Sequence, residues 1–469
     1  MTPWSVAALE HAAPRPFWSD RSDAPIERHA VSGVLHADLA IVGGGFTGLW
    51  AAIEALEQNP GRTVVVLEAE TVGFGASTRN AGMLDQSLTH GVENGAARWP
   101  TEIDSLVRMG RENFDEIIAM LARHSIDVDL RRVPALDVAT QEWQLEALAD
   151  SVAAERASGD DSEMLDARAT QARVASPTYV GAMLRRTHYA LVDPARLVWG
   201  LTALVEQLGG KVFERSAVLD LAPDGPLLVA RTHNGTVAAR RIVLATNAMR
   251  PPGRAGRAVR RRVIPVYDHV LMTEPLTSQQ QASIGWAEWD GVDDANFQFH
   301  YSRRTEDGRI LWGGDHATYH FGGTVHPSHD QNDATHALLA TSFFTTFPQL
   351  EGLRFSHRWG GAVATTSRFS CTWGAAYGGR LAWVAGYTGL GVAASRFGAR
   401  TALDLVDGRS TERTELEMVR RPPMAFPPEP ARFGVVTATR RAMLRSERRG
   451  GRRGPWMRAL DTFNIGFEA

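Results

Sequence analysis

The chain has 469 residues, 44% of them hydrophobic and 22% charged, which is the composition of an ordinary globular protein with room for two or three buried cores. A formal net charge of -3 gives no global field for nucleic acid, and a single cysteine, Cys371, excludes a disulfide framework and a cysteine-rich metal site. No apolar run reaches membrane-spanning length and residues 1–20 carry no signal-peptide pattern, so a cytoplasmic protein without a transmembrane segment is expected.

Residues 1–37, with Pro14, Pro16 and Pro25, read as an irregular arm whose Phe17-Trp18 pair docks on the body. Residues 38–42, then Gly43-x-Gly45-x-x-Gly48, then 51–56 read as strand, tight turn and helix. Gly43 permits the turn, Gly45 lets a pyrophosphate approach the backbone, and Gly48 lets the helix pack closely on the sheet. The next strand, 63–67, ends in Glu68, where the ribose of an adenine dinucleotide is bound; an acid there favours FAD or NAD over NADP. Residues 73–84 form a glycine- and hydroxyl-rich loop suited to wrapping backbone around a flat ligand.

From about 101 to 173 the spacing of apolar residues predicts helices inserted between parts of the nucleotide domain. Asp193-Pro194 predicts a capped helix start, Gly209-Gly210 its end, and 211–214 a strand. A hairpin pairs 227–231 with 237–240 about Asn234-Gly235 and leads into a buried strand ending in Ala245-Thr246-Asn247-Ala248. Residues 256–365 are strand-rich with alternating aromatics, a sheet domain laid over the cofactor, and 381–394 re-enters the first domain. Prolines beyond 415 mark a tail whose arginine-rich part, 431–458, reads as a solvated helix rather than a lipid-binding one.

The expected fold is therefore α/β (α+β overall). A discontinuous Rossmann-like FAD-binding domain takes 38–100, 186–255 and 366–415, and an inserted mixed-sheet substrate-binding domain takes 101–185 and 256–365. The arm 1–37 and the arginine-rich tail 416–469 flank them.

With these segments in order, the chain resembles the D-amino-acid-oxidase superfamily of FAD-dependent oxidoreductases, and most its gamma-glutamylputrescine oxidase branch. The resemblance rests on the Gly43 to Glu68 fingerprint, on Gly75-Ala76-Ser77-Thr78-Arg79-Asn80-Ala81-Gly82, on Ala245-Thr246-Asn247-Ala248 and on Gly386-Tyr387-Thr388-Gly389-Leu390-Gly391. Asp307-Gly308-Arg309-Ile310-Leu311-Trp312-Gly313-Gly314 points to the branch. It implies a glutathione-reductase-like fold with non-covalent FAD. Gly43, Gly45, Phe46, Thr47, Gly48, Glu68 and Ala69 would hold the nucleotide, with Val218 near the adenine. Gly75, Ala76, Ser77, Arg79, Asn80, Ala81, Gly82 and Met83 would run along the ribityl chain and isoalloxazine, and Thr246, Asn247, Gly386, Gly389, Leu390, Gly391 and Val392 would complete the site. It also implies hydride transfer from the carbon beside a neutral amine to flavin N5, hydrolysis of the imine, and reoxidation usually by O2, giving H2O2.

The chain departs from these relatives in its cations. Sarcosine oxidases carry an oxygen-promoting lysine in the strand matching 309–314, where Leu311 or Trp312 stands here, and the only lysine, Lys211, lies elsewhere. Either His269, His300 or His316 takes that part, or oxygen is not the acceptor. The lysine that holds a substrate carboxylate is matched by Ala393, and the corresponding arginine of glycine and D-amino-acid oxidases falls in the apolar stretch 359–364. An amine or acylated polyamine is thus expected over an amino acid, since burying an unpaired carboxylate is costly; Arg303, Arg304 and Arg368 remain the alternatives for holding one. Tyr267, Tyr301 and Trp359, with His269 and His300 as polar members, are the candidate cleft and catalytic residues. Cys371 lies past the position that binds flavin covalently.

Competing readings are a dehydrogenase for an amino acid or secondary amine with a non-oxygen acceptor, and a non-catalytic flavoprotein subunit. A second dinucleotide site at Gly389-x-Gly391-x-x-Ala394 lacks the following strand and acid, and Gly314-Asp315 lies in the wrong segment for a hydroxylase motif. His300, His316, His320 and His326 lack a metal-ligand spacing, so no metal is expected. The oligomeric state is left open.

Overall fold

The computed structural model describes residues 3–462; Met1, Thr2 and the end of the arginine-rich tail, 463–469, lie outside it. Strand Gly33–Val42 buries its last four residues and pairs in parallel with Val64–Leu67 on one side and Gly235–Leu244 on the other. Lys211–Phe213 extends the sheet past Val64–Leu67, and Leu381–Ala385 joins Gly235–Leu244 in parallel. Helices Phe46–Gln58, Pro194–Gln207 and Gly391–Asp407 cover one face with Leu49, Ile53, Leu201 and Phe397 in the core, as parallel strands buried on their faces require. The Leu227–Arg231 hairpin strand pairs as expected, Val229 opposite Ala238.

A second sheet of eight strands runs Phe355–Thr365, Ile264–Thr273, Ile310–Gly314, His300–Arg304, Gly291–Asp294, Ala135–Ala139, Gly181–Arg185, Ser162–Asp166. Helix Asp333–Thr346 covers one of its faces, burying Leu271, Trp312, Phe343 and Phe355. The opposite face meets the loop of residues 75–83. A small sheet of Met83–Asp85, Tyr189–Leu191 and Arg131–Arg132 continues from that loop.

Three sequence expectations change. The stretch 101–173 is not all helical: Ile103–Arg123, Gln144–Ala157 and Ala167–Arg173 are helices, but Ala135–Ala139 and Ser162–Asp166 are strands of the second sheet. Pro134 stands before a short stretch in which Asp137 alternates with buried Leu136 and Val138, a period of two rather than 3.6. The arm ends earlier than residue 37, because strand pairing starts at Gly33 opposite Gly235. The arginine-rich part of the tail forms two helices rather than one, Ala431–Glu447 and Pro455–Thr462, and Glu447 holds the Gln298 amide (3.0 Å).

Asp193 caps the Pro194–Gln207 helix through the Ala195 and Arg196 amides and pairs with Arg21 (2.6 Å). Asp193→Ala removes both and is expected to lower the unfolding free energy by about 1–2 kcal/mol, read as a drop in denaturant midpoint. An unchanged midpoint would show that the cap does not hold this helix.

Candidate active site

The turn after the first strand leaves no room for side chains. Gly43 has φ 113°, and a Cβ there would lie 2.6 Å from the Ala245 carbonyl oxygen; one on Gly48 would lie 1.9 Å from the Gly43 carbonyl oxygen. Ser77 Oγ accepts from the Phe46 amide (3.0 Å), which seats the 75–83 loop on the helix N-terminus. Glu68 accepts from the Gly44 amide (2.7 Å) and the Glu70 amide (3.0 Å), and burial raises its pKa against their pull. Bare backbone, a helix N-terminus and an acid at the next strand end fit the pyrophosphate and ribose of FAD. Val218 is half-buried just past Ser216, whose amide donates to the Glu68 carbonyl (2.7 Å).

The late glycine segment closes on the same turn. Thr47 Oγ1 bonds the Tyr387 hydroxyl (3.0 Å), and the Gly386 amide donates to Asn247 Oδ1 (3.0 Å). His90 Nε2 lies 2.6 Å from the Thr388 carbonyl oxygen, which can only accept, so that nitrogen carries the proton. Sequence reasoning missed His90; its only signal was its place before Gly91 in a loop of small polar residues. Cys371 is buried and burial pushes its thiol up to about 12, so it is no thiolate nucleophile for a flavin.

Four side chains pin the 75–83 loop to the second sheet and the arm. The buried Arg303 donates to the Ala81 (3.0 Å) and Val192 (2.7 Å) carbonyls, and Trp359 Nε1 donates to the Arg79 carbonyl (2.9 Å). Trp18 of the arm, buried as expected, donates to the Asn80 carbonyl (2.9 Å). Arg79 itself pairs with Asp330 (2.8 Å) and bonds the Gly360 carbonyl (2.9 Å), so its guanidinium serves the loop's anchorage. Asn80 turns inward to its own loop, donating to the Ala76 and Ser77 carbonyls and accepting from the Gly82 amide.

Strand register decides which candidates face this loop. Directly paired residues share a face. Trp359 pairs with Val270, Val270 with Gly313, Gly313 with Tyr301, Tyr301 with Asp293 and Asp293 with Asp137. Trp359, Val270 and Leu311 pack with Ala81, with Tyr301 and Met83 beside them, so this row looks onto the loop. Tyr301 lies over Gly313, where a Cβ would stand 2.4 Å from its ring, and donates to Asp268 Oδ2 (2.6 Å). Burial pushes Asp268 up to about 6, against the Tyr301 hydrogen bond.

Tyr267, His269 and His300 point to the other face by the same parity. Tyr267 stands edge-on to His320 and His329, His269 edge-on to His336 of helix Asp333–Thr346, and His300 stacks on Trp312 (4.8 Å). Burial pushes His269 down to about 4, so it carries no charge at neutral pH, while His300 is held by Asp294 (2.8 Å) and His316 sits against Asp315. Neither His269 nor His300 is the cation sought on the loop face. The alternative arginines are also engaged: Arg303 as above, Arg304 by the Trp286 carbonyl and Gln281, and Arg368 by the Arg421, Cys371 and Met418 carbonyls. The residue matching the substrate-binding lysine, Ala393, is buried, its carbonyl bonded to Asn113 (3.0 Å).

A sheet whose central strands run parallel into this turn, and a glycine-rich loop clamped beneath a second, mixed sheet, define a flavin-dependent oxidoreductase fold. The chain belongs to the DAO family of FAD dependent oxidoreductases, whose family model matches residues 38–405, and FAD is its cofactor. It is 33% identical over 380 residues to gamma-glutamylputrescine oxidoreductase of Escherichia coli strain K12, covering 79% of this chain and 84% of that one. It is 26% identical over 412 residues to a probable oxidoreductase of Haemophilus influenzae, covering 86% of this chain and 90% of that one. Among solved structures it shares its fold with glycine oxidase from Geobacillus kaustophilus, with a TM-score of 0.67 and 22% identity over 81% of this chain and 96% of that one. No helix among the described residues is long and apolar enough to cross a membrane.

Gly48→Ala forces a methyl group onto the Gly43 carbonyl. FAD affinity is expected to fall about tenfold or more, measured by titrating the flavin-free protein. Unchanged affinity in a folded variant would separate this turn from cofactor binding.

Proposed function

We propose that the chain oxidises the C–N bond of an amine lacking an α-carboxylate, of polyamine or acylated-polyamine type, and that O2 is the terminal acceptor. The observation that carries this reading is the loop face itself: it presents the half-buried, hydrogen-bonded Asp268–Tyr301 pair, while Arg303, Arg79 and Arg185 are each engaged by protein carbonyls or carboxylates. The 33% identity to a gamma-glutamylputrescine oxidoreductase supports the same substrate type.

FAD, when bound, supplies the two-electron acceptor for oxidation of a C–H bond beside nitrogen. The chain's own residues prepare the amine. A charged ammonium has no nitrogen lone pair to assist loss of hydride, so its proton must leave first. Asp268, ionised above about pH 6, takes that proton through the Tyr301 hydroxyl hydrogen-bonded to it. Trp359, Val270 and Leu311 keep the surrounding face apolar, which strengthens the polar contacts made within it. The oxidised substrate is an imine, which water hydrolyses to a carbonyl compound and the released amine or ammonia.

The test is product analysis with a panel of polyamines and acylated polyamines, in which aldehyde and H2O2 should appear in equal amounts; aldehyde without peroxide would replace O2 with another acceptor. Because the Asp268 carboxylate is the working form, kcat/KM should fall as pH drops through about 6, in addition to the limb set by the amine at higher pH. Asp268→Asn should abolish the lower limb and reduce kcat/KM by about a hundredfold. A pH profile identical to that of the unaltered enzyme would remove Asp268 from the proton path.

A further inference from the structure

Beyond Tyr301 the same register row carries two carboxylates side by side, Asp293 on Gly291–Asp294 and Asp137 on Ala135–Ala139. Neighbouring strands lie about 4.8 Å apart, so like charges here repel strongly if both are ionised. Both side chains are half-buried, and neither has a hydrogen bond or ion pair among the described residues. The nearby Arg185 attracts both carboxylates but makes no ion pair with either, because Asp85 and Glu155 (3.4 Å) hold its guanidinium. A second observation converges on the spot. Tyr189 is only 4% exposed, its hydroxyl has no partner, and it occupies the space over Gly291, on the same face as Asp293 two residues on. A Cβ on Gly291 would lie 2.1 Å from that hydroxyl oxygen, so the glycine makes room for it. A buried, unpaired hydroxyl such as that of Tyr189 is costly unless a ligand satisfies it, and the two half-buried carboxylates beside it are open to the same ligand.

We infer that Asp137 and Asp293, with the Tyr189 hydroxyl, form a subsite for a second ammonium group of the substrate, remote from the carbon that is oxidised. The inference deepens the amine-oxidation reading and rests on it only for the position of the reacting end. Asp293 lies one strand from Tyr301 and Asp137 two, about 5 and 10 Å, a span that a short polymethylene chain between two nitrogens covers. Met83, at the end of the cofactor loop, packs against both the apolar cluster that contains Trp359 and the one that contains Tyr189, so loop and subsite border one continuous face. The subsite selects for charge at a distance: a monoamine leaves both carboxylates unpaired, whereas a diamine or polyamine with a free distal ammonium pairs them.

The test is calorimetric titration of the FAD-loaded protein, its flavin reduced beforehand to prevent turnover. The probes are 1,3-diaminopropane, 1,4-diaminobutane, 1,5-diaminopentane and spermidine, each against the monoamine of matching chain length. At least one of them should bind about ten- to a hundredfold more tightly than its monoamine. Asp293→Asn and Asp137→Asn, which keep the side-chain shape, should bring that ratio to within about threefold. A ratio near one at every length in the unaltered protein, which needs no variant, would overturn the subsite, as would a ratio preserved in both asparagine variants. A diamine that binds selectively yet never reduces the oxidised flavin would sustain the subsite and refute the oxidation reading. Equal binding of monoamines and diamines, with both oxidised, would do the reverse.

Discussion

The Phe46–Gln58 helix can lie on the first sheet only because residue 48 has no side chain, since a Cβ there would stand 1.9 Å from the Gly43 carbonyl oxygen. That approach brings the helix N-terminus to the strand ends and places the Phe46 amide within reach of Ser77. It also sets Thr47 against Tyr387, far along the chain, so that early and late segments close on one another. Glu68, tied to the Gly44 and Glu70 amides, completes an arrangement in which backbone, rather than side-chain charge, receives the nucleotide.

A second constraint joins this half to the mixed sheet. Arg303 is buried without a carboxylate, and burial lowers its pKa to about 10, so the guanidinium remains charged at neutral pH. Three carbonyls, of Ala81, Val192 and Arg304, and the face of Trp18 accommodate it. The consequence is positional: the cofactor loop is held against the sheet at Ala81, the arm locks over Asn80, and Trp359 grips Arg79. Loop and sheet are thereby held in a set relation, and what varies across the sheet is chemistry, apolar near Trp359 and increasingly acidic toward Asp137. In the proposed reading this gradient orients a cationic chain with one end at Asp268–Tyr301.

Local signals carried well from residues to structure. The glycine turn, the Asp193 cap and the Asn234-Gly235 hairpin depend on neighbours within a few positions, and each stands where its chemistry requires. The strands 135–139 and 162–166 were harder, because short apolar stretches among strong helices take their state from partners in the second sheet. For the cleft, alternation shows that Tyr267 and His269 share a face and that Tyr301 and His300 do not. Which face meets the cofactor loop is set by Trp359 and Arg303, whose partners on the loop lie more than 200 residues away in the chain. Asp268, Asp293 and Asp137 escaped notice for the same reason, since each is an ordinary strand acid until register sets it in a row.

The measurement that tests the account most directly is the visible spectrum of the fully flavin-loaded protein mixed anaerobically with amines and, separately, with α-amino acids of similar size. Polyamine-type amines are expected to bleach the flavin, and glycine and D-amino acids to leave it oxidised. Bleaching by the amino acids but by none of the amines would contradict the account.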